Sequence, residues 1–403
     1  MNGPLSHLSV LELAEGFAGP YCGKLLATYG ARVIKVERPA TGDSTRSLGP
    51  FVNEGGIEAS VPFLWLNMGK ESIVCDLETS QGREVVRELA LAADVVIESF
   101  SPGSLEETEL SYGALSQQKP RLVMTSVTPF GQTGPYSSYE SDEIVSYAAG
   151  GGMYLTGEPG RPPLTAGVPV ASYSAGMAAF AGTLTALFAA GTTGRGDHVD
   201  VSIQEAMLDN IEIALVENFH NGRVAKRTGD RHDLVPWRLY PCQDGWAAVV
   251  GGPIRNFLGA VDIFEEPRLT EEKFRHVAGR IQHRQEFDDL IQPWLDSHDR
   301  EEILEAGRER GLAFGVMYQP DEVVNHPQHR AREFFHRIDH PVAGEQVVAG
   351  APYRFTDASM ELRRAPLLGE HTATVLMNDL HIPRARFDQL AHAGAIALHA
   401  GRE

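Results

Sequence analysis

The stretch LSVLELAEGFAGPYCGKLLATYGARVIKVE, Leu8 to Glu37, decides the fold. Leu8–Leu13 is a short apolar run of strand length. Gly16 to Pro20 is a turn, Tyr21–Tyr29 has helical spacing, and Gly30 ends that helix. Val33–Glu37 then reads as a second strand. A helix between two strands is the unit of a parallel sheet.

Working outward, the alternation continues. Ile73–Leu77 and Asp94–Glu98 read as strands with the helix Ser80–Ala92 between them, and Arg121–Val127 as another. The expected class is α/β with Rossmann-like connections. Gly150 to Gly167, rich in Gly and Pro, is expected to be loop. The long apolar run Ala175 to Ala190 is expected to form a largely buried helix. Gly194-Arg195-Gly196 turns the chain into a strand at Val199–Ile203, and Gln204–Glu217 reads as helical. From about Arg223 the texture changes. Tyr240–Val250 suggests strands around an Asp244-Gly245 turn, and Glu271–Leu312 is charged with helical periodicity, giving a smaller α+β domain. The tail from about Pro327 holds short elements and the polar segment His381–Glu403.

Lys and Arg total 35 against 54 Asp and Glu, a formal net charge of −19. A chain this acidic is a poor partner for a phosphate backbone. It has no basic amphipathic stretch for anionic lipid. The N-terminus lacks the basic leader and apolar run of a secretory signal, and no run approaches the roughly 18 apolar residues of a membrane span. Cys22, Cys75 and Cys242 are far apart and form no metal or redox spacing, so they read as reduced thiols of a cytoplasmic protein. The histidines form no metal-ligand pattern. The dinucleotide fingerprint is absent: Gly16-Phe17-Ala18-Gly19-Pro20 has the wrong spacing, which leaves Glu37 as a strand end rather than a ribose ligand.

Several pieces then occur in an order and spacing that resemble family III CoA-transferases of the CaiB/BaiF type. They begin with Leu11-Glu12-Leu13, Ala18-Gly19-Pro20, Gly30 through Pro39, Gly42-Asp43 and Arg46. Asn67 with Gly69-Lys70 and Ser72, Asp76-Leu77, Phe100 with Pro102-Gly103, Phe130-Gly131 and Gly134-Pro135-Tyr136 follow. Gly194-Arg195-Gly196, Val199 through Ser202 with Glu205-Ala206, and Leu368 through Thr372 complete the set. The resemblance runs over almost the whole chain. It implies an interlocked, ring-like dimer of two-domain chains. The expected boundaries are 1–222 for the N-terminal part of the large domain, 223–326 for the small α+β domain, and 327–403 for segments returning to the large one. It also implies transfer of CoA from an acyl-CoA to a free acid, with no tightly bound cofactor and coenzyme A or acyl-CoA as substrate ligand. The resemblance places CoA contacts at Phe17, Ala18, Arg38, Arg46, Leu66, Asn67, Met68, Lys70, Ser99 and Phe100.

That chemistry uses an enzyme carboxylate. It attacks the thioester, expels CoA thiolate and forms a mixed anhydride, as activated as the thioester itself. In the family an aspartate just before the long helix does this, and here Ser172 occupies its position, in Gly167-Val168-Pro169-Val170-Ala171-Ser172. A serine ester would be an energy sink, and no histidine lies nearby in sequence to activate a hydroxyl. Serine caps helix N-termini as aspartate does, so capping or packing is the expected role of Ser172. Other departures are Ser99 and Ser101 around Phe100, the acidic pair Glu106-Glu107, and the acids Glu140, Asp142 and Glu143, none of which favours CoA phosphates. The histidine of the racemase relatives is missing from Ser141 through Val145. Three readings follow. The chain is a non-catalytic subunit beside a homologue that keeps its aspartate, with the succinyl-CoA:benzylsuccinate CoA-transferase type the first comparison to make. It is instead a homodimeric enzyme using Glu143 or Asp142, or an acyl-CoA-binding protein without chemistry.

Overall fold

The computed structural model describes residues 3–106, 108–232, 234–251, 261–358 and 360–399; Glu107 and the last four residues of the polar tail lie outside them. The chain divides into two compact units, one of Met1–Met153, Thr165–Arg223 and Arg332–Glu403, the other of Tyr154–Leu164 and Val224–Ala331.

In the first unit the short apolar runs become strands because both of their faces are covered, which suits a parallel sheet. They are β1 (Ser9–Glu12), β2 (Arg32–Glu37), β3 (Glu71–Cys75), β4 (Val95–Glu98), β5 (Val123–Thr128) and β6 (His198–Ser202). The spatial order is β3-β2-β1-β4-β5-β6, all parallel. A last short strand, Ile396–Ala397, pairs antiparallel with β3. Strand β1 has β2 on one side and β4 on the other, so the winding reverses there, and ligands of such sheets bind outside the carboxyl ends at that point.

Helix α1 (Ala18–Thr28) starts before Tyr21 because Pro20 falls in the first turn, where its missing N–H needs no partner. After α2 (Val61–Leu66), α3 spans Ser80–Ala92, capped by the Thr79 side chain. Then come α4 (Tyr112–Gln118), α5 (Glu143–Ala149) and α6 (Gly152–Leu155), a single turn inside the segment expected to be all loop. Next are α7 (Val170–Thr193), α8 (Ile203–Leu208) and α9 (Glu212–Asn221). Helices α1 and α7 cover one sheet face, while α3 and Arg384–His392 cover the other. Gly176 lets α7 approach α1 closely, since a Cβ there would stand 2.6 Å from the Ala18 carbonyl oxygen.

Two expectations about α7 need correction. It is long and apolar enough by length and composition to cross a membrane. It is also not largely buried: a stripe through Ala171, Ala175, Ala179, Thr183 and Ala186 is buried, but Phe188 on the outer side is 82% exposed. Helix α9 buries none of its residues, and Phe219 is 84% exposed.

In the second unit Trp237–Cys242, Gly245–Val250 and Ala313–Val316 form an antiparallel sheet. The turn falls on Gln243 and Asp244, since Gly245 already pairs with Cys242. Phe274, Phe287, Ile291 and Ile303 build this unit's own core.

A buried ionic cluster joins the carboxyl ends of β1 and β2. Lys35 Nζ lies 2.9 Å from Glu12 Oε1 and 2.7 Å from Asp43 Oδ2, and donates to the Ala14 carbonyl at 2.7 Å. Lys70 Nζ contacts Glu12 at 2.8 Å and donates to the Pro20 carbonyl (2.8 Å) and Asn67 Oδ1 (2.9 Å). Burial alone would depress Lys35, but Asp43, Glu12 and Glu37 together hold it above the ordinary lysine range. Lys35→Met is expected to leave Asp43 buried without its cation, Glu12 keeping only Lys70, and to cost ~3–5 kcal/mol, read as a drop in the urea unfolding midpoint.

Candidate functional site

Helix α7 begins directly after Pro169, which has no side chain able to cap it. Ser172 is therefore the third residue of the helix and not its cap, contrary to the expectation from sequence. The capping group comes from α5. Glu143 Oε1 accepts the Ala171 N–H (2.8 Å), while Oε2 accepts both the Ser172 N–H (3.0 Å) and the Ser172 hydroxyl (2.7 Å). Free N–H groups and the positive end of the helix dipole favour a carboxylate at this place. Glu143 is itself the first residue of α5, whose first turn is capped by Asp142 through the Ile144 N–H at 2.9 Å.

Chemically, the arrangement is a serine whose proton points at a carboxylate that already holds three donors. Ser172 is 8% exposed, and among the described residues no histidine hydrogen-bonds to it. Asp142 is likewise committed to its own helix.

A cavity of about 550 Å³ opens at the carboxyl ends of β3, β2, β1 and β4. Glu15, Glu37, Arg38, Asp76, Ser99 and Phe100 are among its walls. This is where the sheet topology favours a ligand, and the volume suits one. Of the residues expected to contact CoA, the structure brings Arg38, Ser99 and Phe100 together here. Phe17 and Ala18 stand at the start of α1, just beyond Glu15. Arg46 is elsewhere and fully used: it is buried, binds Glu37 at 2.7 and 2.8 Å and Glu58 at 2.7 Å, and lies 3.6 Å over the Phe63 ring. Leu66, Asn67, Met68 and Lys70 are buried, with Asn67 and Lys70 in the ionic cluster. The wall is acidic, and its Arg38 is already paired with Glu15. Burial, then the charge of Asp43, pushes the Glu15 carboxyl up, against the pull of Arg38.

One feature was not anticipated from sequence. Tyr173, the neighbour of Ser172, meets Tyr21 edge-on at 4.8 Å and Phe17 at 6.5 Å, so the first turns of α1 and α7 share an aromatic wall. The only sequence signal was the pair of tyrosines at the starts of two apolar helices.

A family model described as CoA-transferase family III matches residues 5–372. The chain is 34% identical to the Thauera aromatica succinyl-CoA:(R)-benzylsuccinate CoA-transferase subunit BbsE, over 98% of this chain and 99% of that one. It is 34% identical to the Agrobacterium fabrum succinate–glutarate CoA-transferase, over 93% and 95%. A crystal structure of a CaiB/BaiF family protein from Brucella suis superposes with TM-score 0.83 at 33% identity, covering 93% of this chain and 99% of that one.

The hydrogen bonds at the start of α7 are expected to carry stability. Glu143→Ala should cost ~2–3 kcal/mol and Ser172→Ala ~1–2 kcal/mol. Faster hydrogen exchange at the Ala171 and Ser172 amides is expected for Glu143→Ala only, because Ser172→Ala leaves both N–H bonds in place.

Proposed function

The chain belongs to CoA-transferase family III, and from that premise we propose that it is the subunit without a nucleophile of its own in a hetero-oligomeric CoA-transferase. One observation carries this reading. Where the reaction needs a free carboxylate, the chain has Ser172, and the nearest carboxylate, Glu143, is held by three donors. To attack a thioester, Glu143 would have to release the first turn of α7, so the homodimeric reading with Glu143 as nucleophile is the weaker one.

In the proposed complex a homologous chain supplies the aspartate. Its carboxylate oxygen bonds to the thioester carbonyl carbon, the C–S bond breaks, and CoA leaves as thiolate. The acceptor acid and the thiolate then exchange through further anhydride and thioester steps. Succinyl-CoA is the donor that fits the names of the relatives, with a free carboxylic acid as acceptor. The exposed apolar side chains of α7 and α9, Phe188, Ile213 and Phe219 among them, support a partner chain that covers them. The cavity at the strand ends has room for part of CoA, but its acidic wall argues for weak binding of the phosphates in this chain. Free thiols at Cys22, Cys75 and Cys242 agree with a cytoplasmic setting.

Native mass spectrometry after mild purification is expected to show two related chain types. Turnover with succinyl-CoA, trapped by hydroxylamine, should label the partner only. An acyl adduct on this chain, or transfer by this chain alone at an enzymatic rate, would overturn the proposal. Ser172→Asp is expected to leave the isolated chain at least ~100-fold below the two-chain complex, because the new carboxylate would face Glu143 and lack cationic support for CoA.

A further inference from the structure

We propose that Lys24 is the anchor of a carboxylate-binding site beside Ser172, taking the free carboxylate of a dicarboxylic acid or of its CoA monothioester. This goes beyond the subunit reading, since a chain needs no nucleophile to hold a carboxylate.

Lys24 sits in the middle of α1 and is only 6% exposed. Its Nζ lies 3.4 Å from the centre of the Trp65 ring and 5.9 Å from that of Tyr21. Among the described residues it makes no hydrogen bond and no ion pair. The other two buried lysines of this region differ sharply. Lys35 and Lys70 each have carboxylate and carbonyl partners. An ammonium has three N–H groups to satisfy, and ring faces offset only part of the cost of removing it from water. Burial, followed by repulsion from Lys70, lowers its pKa to about 8. The local charge balance therefore lacks one anion.

The place of Lys24 says which anion. Tyr21, one turn before it on α1, packs on Tyr173, and Tyr173 is hydrogen-bonded to the Trp65 side chain. Lys24 thus belongs to the aromatic wall that adjoins Ser172, the position of acyl transfer in the family. Phosphate favours arginine forks and clusters of donors. A single amine between flat apolar rings suits a singly charged carboxylate on a short alkyl chain.

The test is calorimetric titration of the native assembly with glutarate, pentanoate, succinyl-CoA and butyryl-CoA, in wild type, Lys24→Met and Lys24→Gln. Wild type is expected to prefer glutarate over pentanoate, and succinyl-CoA over butyryl-CoA, by about tenfold or more. Binding at the partner's own site is common to all three proteins, so in the variants the number of sites showing both preferences should fall by one per copy of this chain, with butyryl-CoA binding unchanged. Equal loss of both thioesters would place Lys24 against the CoA moiety and overturn the proposal. So would a wild type with no preference, a result that needs no variant to fold. If neither thioester binds but glutarate binds through Lys24, the carboxylate site stands and CoA binding by this chain falls.

Discussion

Two lysines and two carboxylates sealed at the ends of the first two strands set the terms for the rest of the large unit. Glu12 on β1 is shared by Lys35 on β2 and by Lys70 ahead of β3, and Asp43 closes the set from the loop after β2. Each ion costs several kcal/mol to bury, and only the complete set offsets that cost, so the cluster favours one register of strands and loops. Helix α1 is fitted to it at Gly23, where a Cβ would lie 1.7 Å from Glu12 Oε2.

The same economy of charge governs the surface left for ligands. Lys70 and Arg46 are basic residues of the stretches that resemble the family, yet Glu12 and Glu37 neutralise them inside the protein. Arg38, the cation that does reach the cavity, is matched by Glu15. At the start of α7 the helix dipole, a natural attractor of anions, is satisfied by Glu143. Cavity and helix end are therefore both neutralised from within. Lys24 is different because its surroundings are aromatic, and aromatic faces attract a cation without cancelling its charge.

Much of the scaffold was legible because its signals are local. Short apolar runs gave the strands, and a periodic segment gave Ser80–Ala92 with both ends in place. What failed depended on distant partners. Ser172 looked like a helix cap because nothing in its neighbourhood shows that Glu143, 29 residues earlier, takes that role. Arg38 and Arg46 look alike in sequence, and only burial beside Glu37 separates the spent guanidinium from the one at the cavity. An apolar run cannot say how many of its sides are covered, which is why α7 was expected to be largely buried.

The start of α7 shows what a serine at 172 does for the framework. The start of α7 is held by α5 whether or not it performs chemistry. An aspartate at 172 would set a second carboxylate against Glu143, and like charges at that range raise each other's proton affinity and strain the helix start. Serine turns the repulsion into a hydrogen bond of 2.7 Å while the two N–H bonds to Glu143 remain. Serine at 172 thus adds a side-chain bond to the two backbone bonds that tie α5 to α7.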